Sequence, residues 1–287
     1  MAEDIIAGVV EASLGERLKS ACPMGGGCIG EVYKVELDDG TQLVAKVDRQ
    51  GESHLEREAY MLGYLREQSN LPVPEVYHGS ETLLLMELIE GGSHFSAGAE
   101  RHAAELLAAL HGISAGAYGH ERSTLIGSLD QPNPWTESWT EFFREQRLLY
   151  IARVAHEAGR LPAEDVLRVE RLSEKLDELI GEPNPPALIH GDVWSANVLA
   201  EGNRITAFLD PALYYDADPE IELSFISHFN SFGEAFLERY AEIRGIDRRF
   251  HETRRDLYSL YPLLVHVYFF GGGYLGSVRS TLGRFAV

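Results

Sequence analysis

His190-Gly191-Asp192-Val193-Trp194-Ser195-Ala196-Asn197 is a polar loop set between two short apolar stretches, Leu188-Ile189 and Val198-Leu199. Short apolar runs bounded by glycine and polar residues predict strands, so the loop is expected to join two of them. Ile205 to Leu209 predicts a further strand that ends at Asp210. An acid, an amide and a second acid thus fall on loops at strand ends, spaced His-x-Asp-x4-Asn and then Asp 13 residues on. That is the spacing of a phosphotransferase catalytic loop. Asp192 would accept a hydrogen bond from an alcohol and take its proton. Asn197 would bring an amide oxygen to a metal, and Asp210 would bridge magnesium to the β- and γ-phosphates of ATP. His190 is better suited to brace the loop than to act as a base.

Working upstream, Gly25-Gly26-Gly27-Cys28-Ile29-Gly30 leads into a hairpin. Tyr33, Val35 and Leu37 alternate with Lys34 and Glu36, Asp39-Gly40 signals a tight turn, and Gln42 to Val47 returns as a second strand. Glycines let backbone N–H groups approach phosphate oxygens closely. The Gly-Lys-Ser/Thr ending of a Walker loop is absent, and this loop joins strands. It suits a flap over nucleotide phosphates, with an ordinary flexible turn as the alternative. Lys46 sits amid apolar residues of the outgoing strand. It is either an exposed strand lysine or a buried one, and a buried one needs a carboxylate or phosphate. Glu58 could supply the carboxylate, with Glu56 as rival. Ser53 followed by Glu56 predicts a capping box, opening a helix whose buried face is Leu55, Ala59, Leu62 and Leu65.

The flanking regions are plainer. Residues 3–20 have the period of a short amphipathic helix, and Leu83 to Met86 predicts an apolar strand. The lobe boundary is expected near Glu87 to Gly92. Beyond it, helices are expected over about 98–112, 135–159, 163–181 and 220–270, with Gly271-Gly272-Gly273 as an interruption. The chain has 287 residues, 25 basic and 45 acidic, for a net charge of −20. That field repels phosphate backbones and anionic membranes, so nucleic acid and membrane are not expected partners. It favours an amine-bearing substrate or serves solubility alone. Two cysteines, Cys22 and Cys28, make neither a disulfide framework nor a zinc site. An acidic N-terminus unlike a signal peptide predicts a cytoplasmic protein.

The set GGGCIG-x-VY, VAKV, REAYML, HGDVWSAN and FLDPALYY resembles the fructosamine (ketosamine) kinase family, within the aminoglycoside and choline phosphotransferases of protein-kinase-like fold. The segments 139–148 and 257–266 carry the narrower resemblance. It implies an α+β fold of two lobes, with a small β-rich nucleotide-binding lobe over 1–88 and a larger, mainly helical catalytic lobe over 89–287. It also implies ATP and Mg2+, and phosphorylation of a ketosamine or glycated lysine at the sugar 3-hydroxyl. By the resemblance, Lys46 and Glu58 form the ion pair and Asp192 is the base. Asn197 and Asp210 bind magnesium, Gly25 to Gly30 cover the phosphates, and Met86, Glu87 and Leu88 meet adenine. Trp194 is either a wall of the sugar site or a packed core residue. The departures are Gly30, where many relatives have Asn, and Asp216, where Gly is common. A phosphotransferase for another small alcohol and a non-catalytic nucleotide-binding protein are the alternatives; the intact Lys46, Asp192, Asn197 and Asp210 argue against the latter.

Overall fold

The computed structural model describes residues 2–25, 30–50, 53–181, 185–216 and 219–287. The chain packs as two compact units. One holds the residues up to Ala109 with Thr124–Asp130 and His190–Leu213; the other holds Leu110–Ser123, Gln131–Ile189 and Tyr214–Val287. This packing division runs differently from a cut after residue 88. Residues beyond the cut join the first unit through their backbone: Gly92 and Ala200 exchange bonds at 2.9 Å, and Phe208 N–H donates to Pro72 O at 2.8 Å.

In the first unit, helix α1 (Ala2–Leu14) precedes β1 (Leu18–Pro23), β2 (Glu31–Leu37) and β3 (Gln42–Val47). Helix α2 (Leu55–Gln68), β4 (Val76–Gly79) and β5 (Leu83–Glu87) follow. The strands form one antiparallel sheet in the order β1-β2-β3-β5-β4. Strand alternation decides its two faces. Val35 and Leu37 on β2, with Leu43, Ala45 and Val47 on β3, pack against Ile6 and Val10 of α1. Val44 and Lys46 therefore point to the opposite face. Leu83 to Met86 is apolar throughout because both faces of β5 are covered. Helix α3 (Ala97–Leu110) and the antiparallel pair β9 (Val198–Glu201) and β10 (Arg204–Phe208) complete the unit.

Two expectations for this unit are corrected, and one strand is added. The helix over 3–20 ends at Leu14, and strand β1 takes Leu18–Pro23. Strand β4 is an additional element. Ser53 does not cap α2: His54 occupies the N-cap with φ 50° and makes no side-chain cap bond. The Ser53 N–H donates instead to Asp48 Oδ2 at 2.6 Å.

The second unit is mainly helical. Helices α4 (Trp139–Phe142) and α5 (Leu149–Glu157) are joined by a π-helical stretch, Phe143–Leu148. Then come α6 (Ala163–Ser173), α7 (Leu176–Ile180), α8 (Glu220–His228), α9 (Glu234–Arg244), α10 (Arg255–Phe270) and α11 (Leu275–Arg284). The helix expected from 135 begins only at Trp139, because Ser138 caps it: its hydroxyl accepts from Glu141 N–H. The helix expected over 163–181 is broken after Ser173. Short strands β8 (Ala187–Ile189) and β11 (Tyr214–Asp216) pair antiparallel, and the hairpin β6 (Thr124–Ile126) and β7 (Leu129–Gln131) straddles the unit boundary. Among the described residues no helix is long and apolar enough to cross a membrane.

Candidate active site

Lys46 reaches its place by strand register. It lies opposite Val32 on β2 and Leu84 on β5, on the sheet face turned away from α1. Glu58 reaches its place by helical period. It follows Leu55 by three residues and precedes Leu62 by four, so it stands on the apolar stripe of α2. The two meet: the Lys46 ammonium donates to Glu58 Oε1 at 2.7 Å. It also donates to Asp210 Oδ1. Of the two rivals, Glu58 is the partner; Glu56 makes no ion pair with Lys46 among those described and lies near His54. The Lys46 side chain is only 12% exposed, so the sequence alternative of an exposed strand lysine is excluded.

Three charges this close perturb one another. Burial alone would lower the Lys46 ammonium, but the carboxylates of Glu58 and Asp210 outweigh it and hold the lysine above its ordinary range. Burial pushes the Glu58 carboxyl up to about 7; Lys46 opposes this and Asp210 adds to it. Burial also pushes Asp210 up, but Lys46 overrides it, so that carboxyl stays below the usual range and ionised at neutral pH. Asp210 has φ 52°, a left-handed conformation that is uncommon for a residue other than glycine. Backbone strain of this kind concentrates at functional sites.

Asp192 and Asn197 form a second pair. The Asn197 side-chain NH2 donates to Asp192 Oδ2 at 3.0 Å and to the Asp192 carbonyl at 3.1 Å. These bonds use the nitrogen and leave the amide oxygen out of them. A short 3-10 turn, Ser195–Asn197, sets Asn197 in place, with its N–H on Trp194 O at 2.9 Å. Leu209 N–H donates to Asn197 O at 2.8 Å, which ties the loop to the strand leading to Asp210. His190 is fully buried and its Nδ1 lies 3.3 Å from the Asp192 N–H, the bracing position expected for it. Gly191 has φ +87°, and a Cβ there would lie 2.2 Å from Ala212 O. Only glycine lets the loop bearing Asp192 pass so close to the chain that follows Asp210.

These residues share one cavity of about 640 Å³ within the first unit. Lys46, Glu58, Asp192, Asn197 and Asp210 line it, as do Gly25, Met86, Glu87, Leu88 and Trp194. Val32, Val44, Met61 and Leu199 give it an apolar wall, and the volume suits a nucleotide-sized ligand. Trp194 is 36% exposed, so the core alternative for it is excluded. Gly30 has φ +78°. Gly26, Gly27, Cys28 and Ile29 lie outside the described residues. Sequence reasoning did not single out Met61 and Leu199; their only signal was an apolar residue on the stripe of α2 and on β9.

Among the described residues no three His, Cys, Asp or Glu side chains gather to hold a metal by themselves. One ionised Asp and one Asn fit an ion that completes its shell with phosphate oxygens and water, as magnesium does.

A family model described as fructosamine kinase matches residues 1–286. A protein of Synechocystis named as a probable ketoamine kinase is 34% identical over 93% of this chain and 90% of its own length. A chloroplastic protein-ribulosamine 3-kinase of Arabidopsis thaliana is 31% identical over 90% of this chain and 80% of its own. Among solved structures, a candidate fructosamine-3-kinase of Thermobifida fusca superposes with a TM-score of 0.85 at 32% identity, covering 96% of each chain. An aminoglycoside phosphotransferase, APH(4)-Ia, shares the fold at a TM-score of 0.65 and 19% identity, covering 97% of this chain and 96% of its own.

Proposed function

Because the chain belongs to the fructosamine kinase family, we propose that it transfers the γ-phosphoryl group of ATP to the 3-hydroxyl of a ketosamine, either a small glycated amine or a glycated lysine. The observation that carries the reading is the meeting of Lys46, Glu58 and Asp210 in the cavity that Asp192 and Asn197 also line. Lys46, held by Glu58, would bind the phosphate oxygens of the nucleotide, and Met86, Glu87 and Leu88 would meet adenine. Gly25 to Gly30 would cover the phosphates. Asp192, oriented by the Asn197 amide, would accept the proton of the sugar hydroxyl as its oxygen bonds to phosphorus and ADP departs. Asn197 and Asp210 would hold Mg2+, which neutralises charge on the phosphates when bound. Trp194 would offer a face to the C–H surface of the sugar.

We further propose a functional division at residue 88. The hairpin, Lys46 and Glu58 of 1–88 serve the nucleotide, and 89–287 supplies the catalytic loop and the acceptor site. We place the activity in the cytoplasm. An ATP-consumption screen over fructosyl-lysine, ribulosyl-lysine, an aminoglycoside and choline tests the assignment. Turnover with a ketosamine and not with the other alcohols is expected. Turnover confined to the aminoglycoside or choline, or none with any acceptor, overturns it.

A further inference from the structure

One wall of the cavity takes no part in the nucleotide reading above. It comes from the start of α2, where Ser53 and Leu55 line the cavity, and from the β6–β7 hairpin, which contributes Leu125 and Gly127. All four belong to the first unit, as Lys46, Asp192 and Asp210 do. The two pieces are joined: β6 packs on α2, and Arg57 of α2 forms an ion pair with Asp130 of β7.

Ser53 is the unusual member of this wall. The residue is 7% exposed. Its backbone N–H is bound to Asp48 Oδ2 at 2.6 Å, but its hydroxyl makes no hydrogen bond among the described residues. Buried polar groups are normally paired. An orphan hydroxyl at the wall of a cavity marks a place where a ligand supplies the partner.

Strand direction says which part of the reaction passes there. On β3, Val44 stands opposite Met86, at the adenine end of the reading. Lys46, two residues and about 7 Å further along, takes the phosphates. Asp48 comes two residues later still, and its N–H on Thr82 O at 2.9 Å continues the line of the strand. Ser53, bound to the Asp48 carboxylate, therefore lies past Lys46 in the direction from adenine to phosphate. An in-line displacement brings the acceptor to the terminal phosphorus from the side opposite ADP, which is this same direction.

The chemistry of the wall narrows the ligand further. Among the described residues that line the cavity, Lys46 is the one cation, and the nucleotide claims it. Leu55 and Leu125 are apolar. Such a wall suits no second anion. Aliphatic surface beside one hydroxyl matches a sugar, which presents C–H faces and hydroxyl groups. We propose that Ser53 is a sugar-binding residue of the acceptor site: its hydroxyl bonds a non-reacting hydroxyl of the ketosamine sugar, whose C–H surface rests on Leu55 and Leu125. This rests on the ketosamine kinase reading above.

The test is steady-state kinetics with fructosyl-lysine and ATP, nucleotide titration and urea unfolding, for the wild type, Ser53→Ala and Ser53→Thr. Deleting a hydroxyl that has no partner in the chain should leave stability unchanged or raised, so Ser53→Ala should fold. A neutral hydrogen bond corresponds to a loss of about twofold to tenfold in kcat/KM for the acceptor. The expected result is that loss in Ser53→Ala, with ATP affinity unchanged, stability not lowered, and most of the activity kept by Ser53→Thr. An unchanged acceptor kcat/KM, a loss that falls on ATP affinity, a loss that tracks a drop in stability, or equal impairment of the Ala and Thr variants overturns the proposal. A wild type that turns over no ketosamine defeats the parent reading, whereas an active wild type with an indifferent Ser53→Ala defeats this inference alone.

Discussion

Lys46 and Arg147 are both cations largely withdrawn from water, one in each packing unit, and they are held in opposite ways. Lys46 is held by two carboxylates, Glu58 and Asp210. Arg147 is fully buried and meets carbonyl oxygens and rings. Its Nη1 donates to Pro132 O and Gln146 O at 2.9 Å, and its Nη2 to Asn133 Oδ1 at 2.6 Å. Its guanidinium carbon lies 4.0 Å from the Tyr214 ring centroid and 4.6 Å from that of Phe142. A planar guanidinium clasped by neutral dipoles and π faces is a fixture of the core. A compact ammonium between two carboxylates, at the wall of a cavity, can exchange partners when another anion arrives. The lesson is that burial of a charge says little about its role, and the identity of its partners says more.

Four perturbations break or sharpen that contrast. Asp192→Ala has the largest expected effect: a loss of turnover of about 10²–10⁴-fold or more with ATP affinity largely kept, read by steady-state kinetics and nucleotide titration. Undiminished activity would remove Asp192 from the proposed role. The next two form a pair. Lys46→Met should cut kcat or raise the KM for ATP by about tenfold or more, while Arg147→Met should leave the kinetic constants of the folded enzyme near wild type and cost about 2–4 kcal/mol in urea unfolding. If the two variants behaved alike, the distinction between exchangeable and fixed cations would fail.

The smallest effect concerns Glu58. Its carboxyl is raised to about 7 in the fold, from an ordinary value near 4.5. The folded state therefore binds the proton more tightly than the unfolded chain. This contribution to stability is fully present below about pH 4.5 and is lost as pH rises through about 7. Glu58→Gln should flatten the decline in unfolding free energy between pH 5 and pH 8 by an amount of order 1 kcal/mol. An identical pH slope in wild type and variant would contradict the assignment.

The sequence made the site more legible than the sheet that presents it. The hairpin of β2 and β3 was readable because alternation and Asp39-Gly40 are local signals. The loop from His190 to Asn197 was readable because its spacing is set by chemistry. The pairing of Lys46 with Glu58 could be narrowed to two candidates, and helical period then selects the one on the stripe of Leu55 and Leu62. Strands β1, β4 and β11 were not readable: they are short, partly polar, and exist through pairing with segments distant in sequence. The Ser53–Glu56 signal failed because Asp48 competes for the Ser53 N–H. Ser138 and Glu141 carried a sound capping signal that would have excluded Trp135 from its helix. Nothing in the sequence announced the π-helical stretch at 143–148 or the aromatic clasp on Arg147.

Gly191 has a consequence for how this protein can vary. Its Cα hydrogen faces Ala212 O where any larger residue would place a carbon 2.2 Å away. The separation of the two acidic loops is thus gauged by an absent methyl group. A random library selected for activity should come back with glycine kept at this position, even though residue 191 itself offers the reaction no functional group.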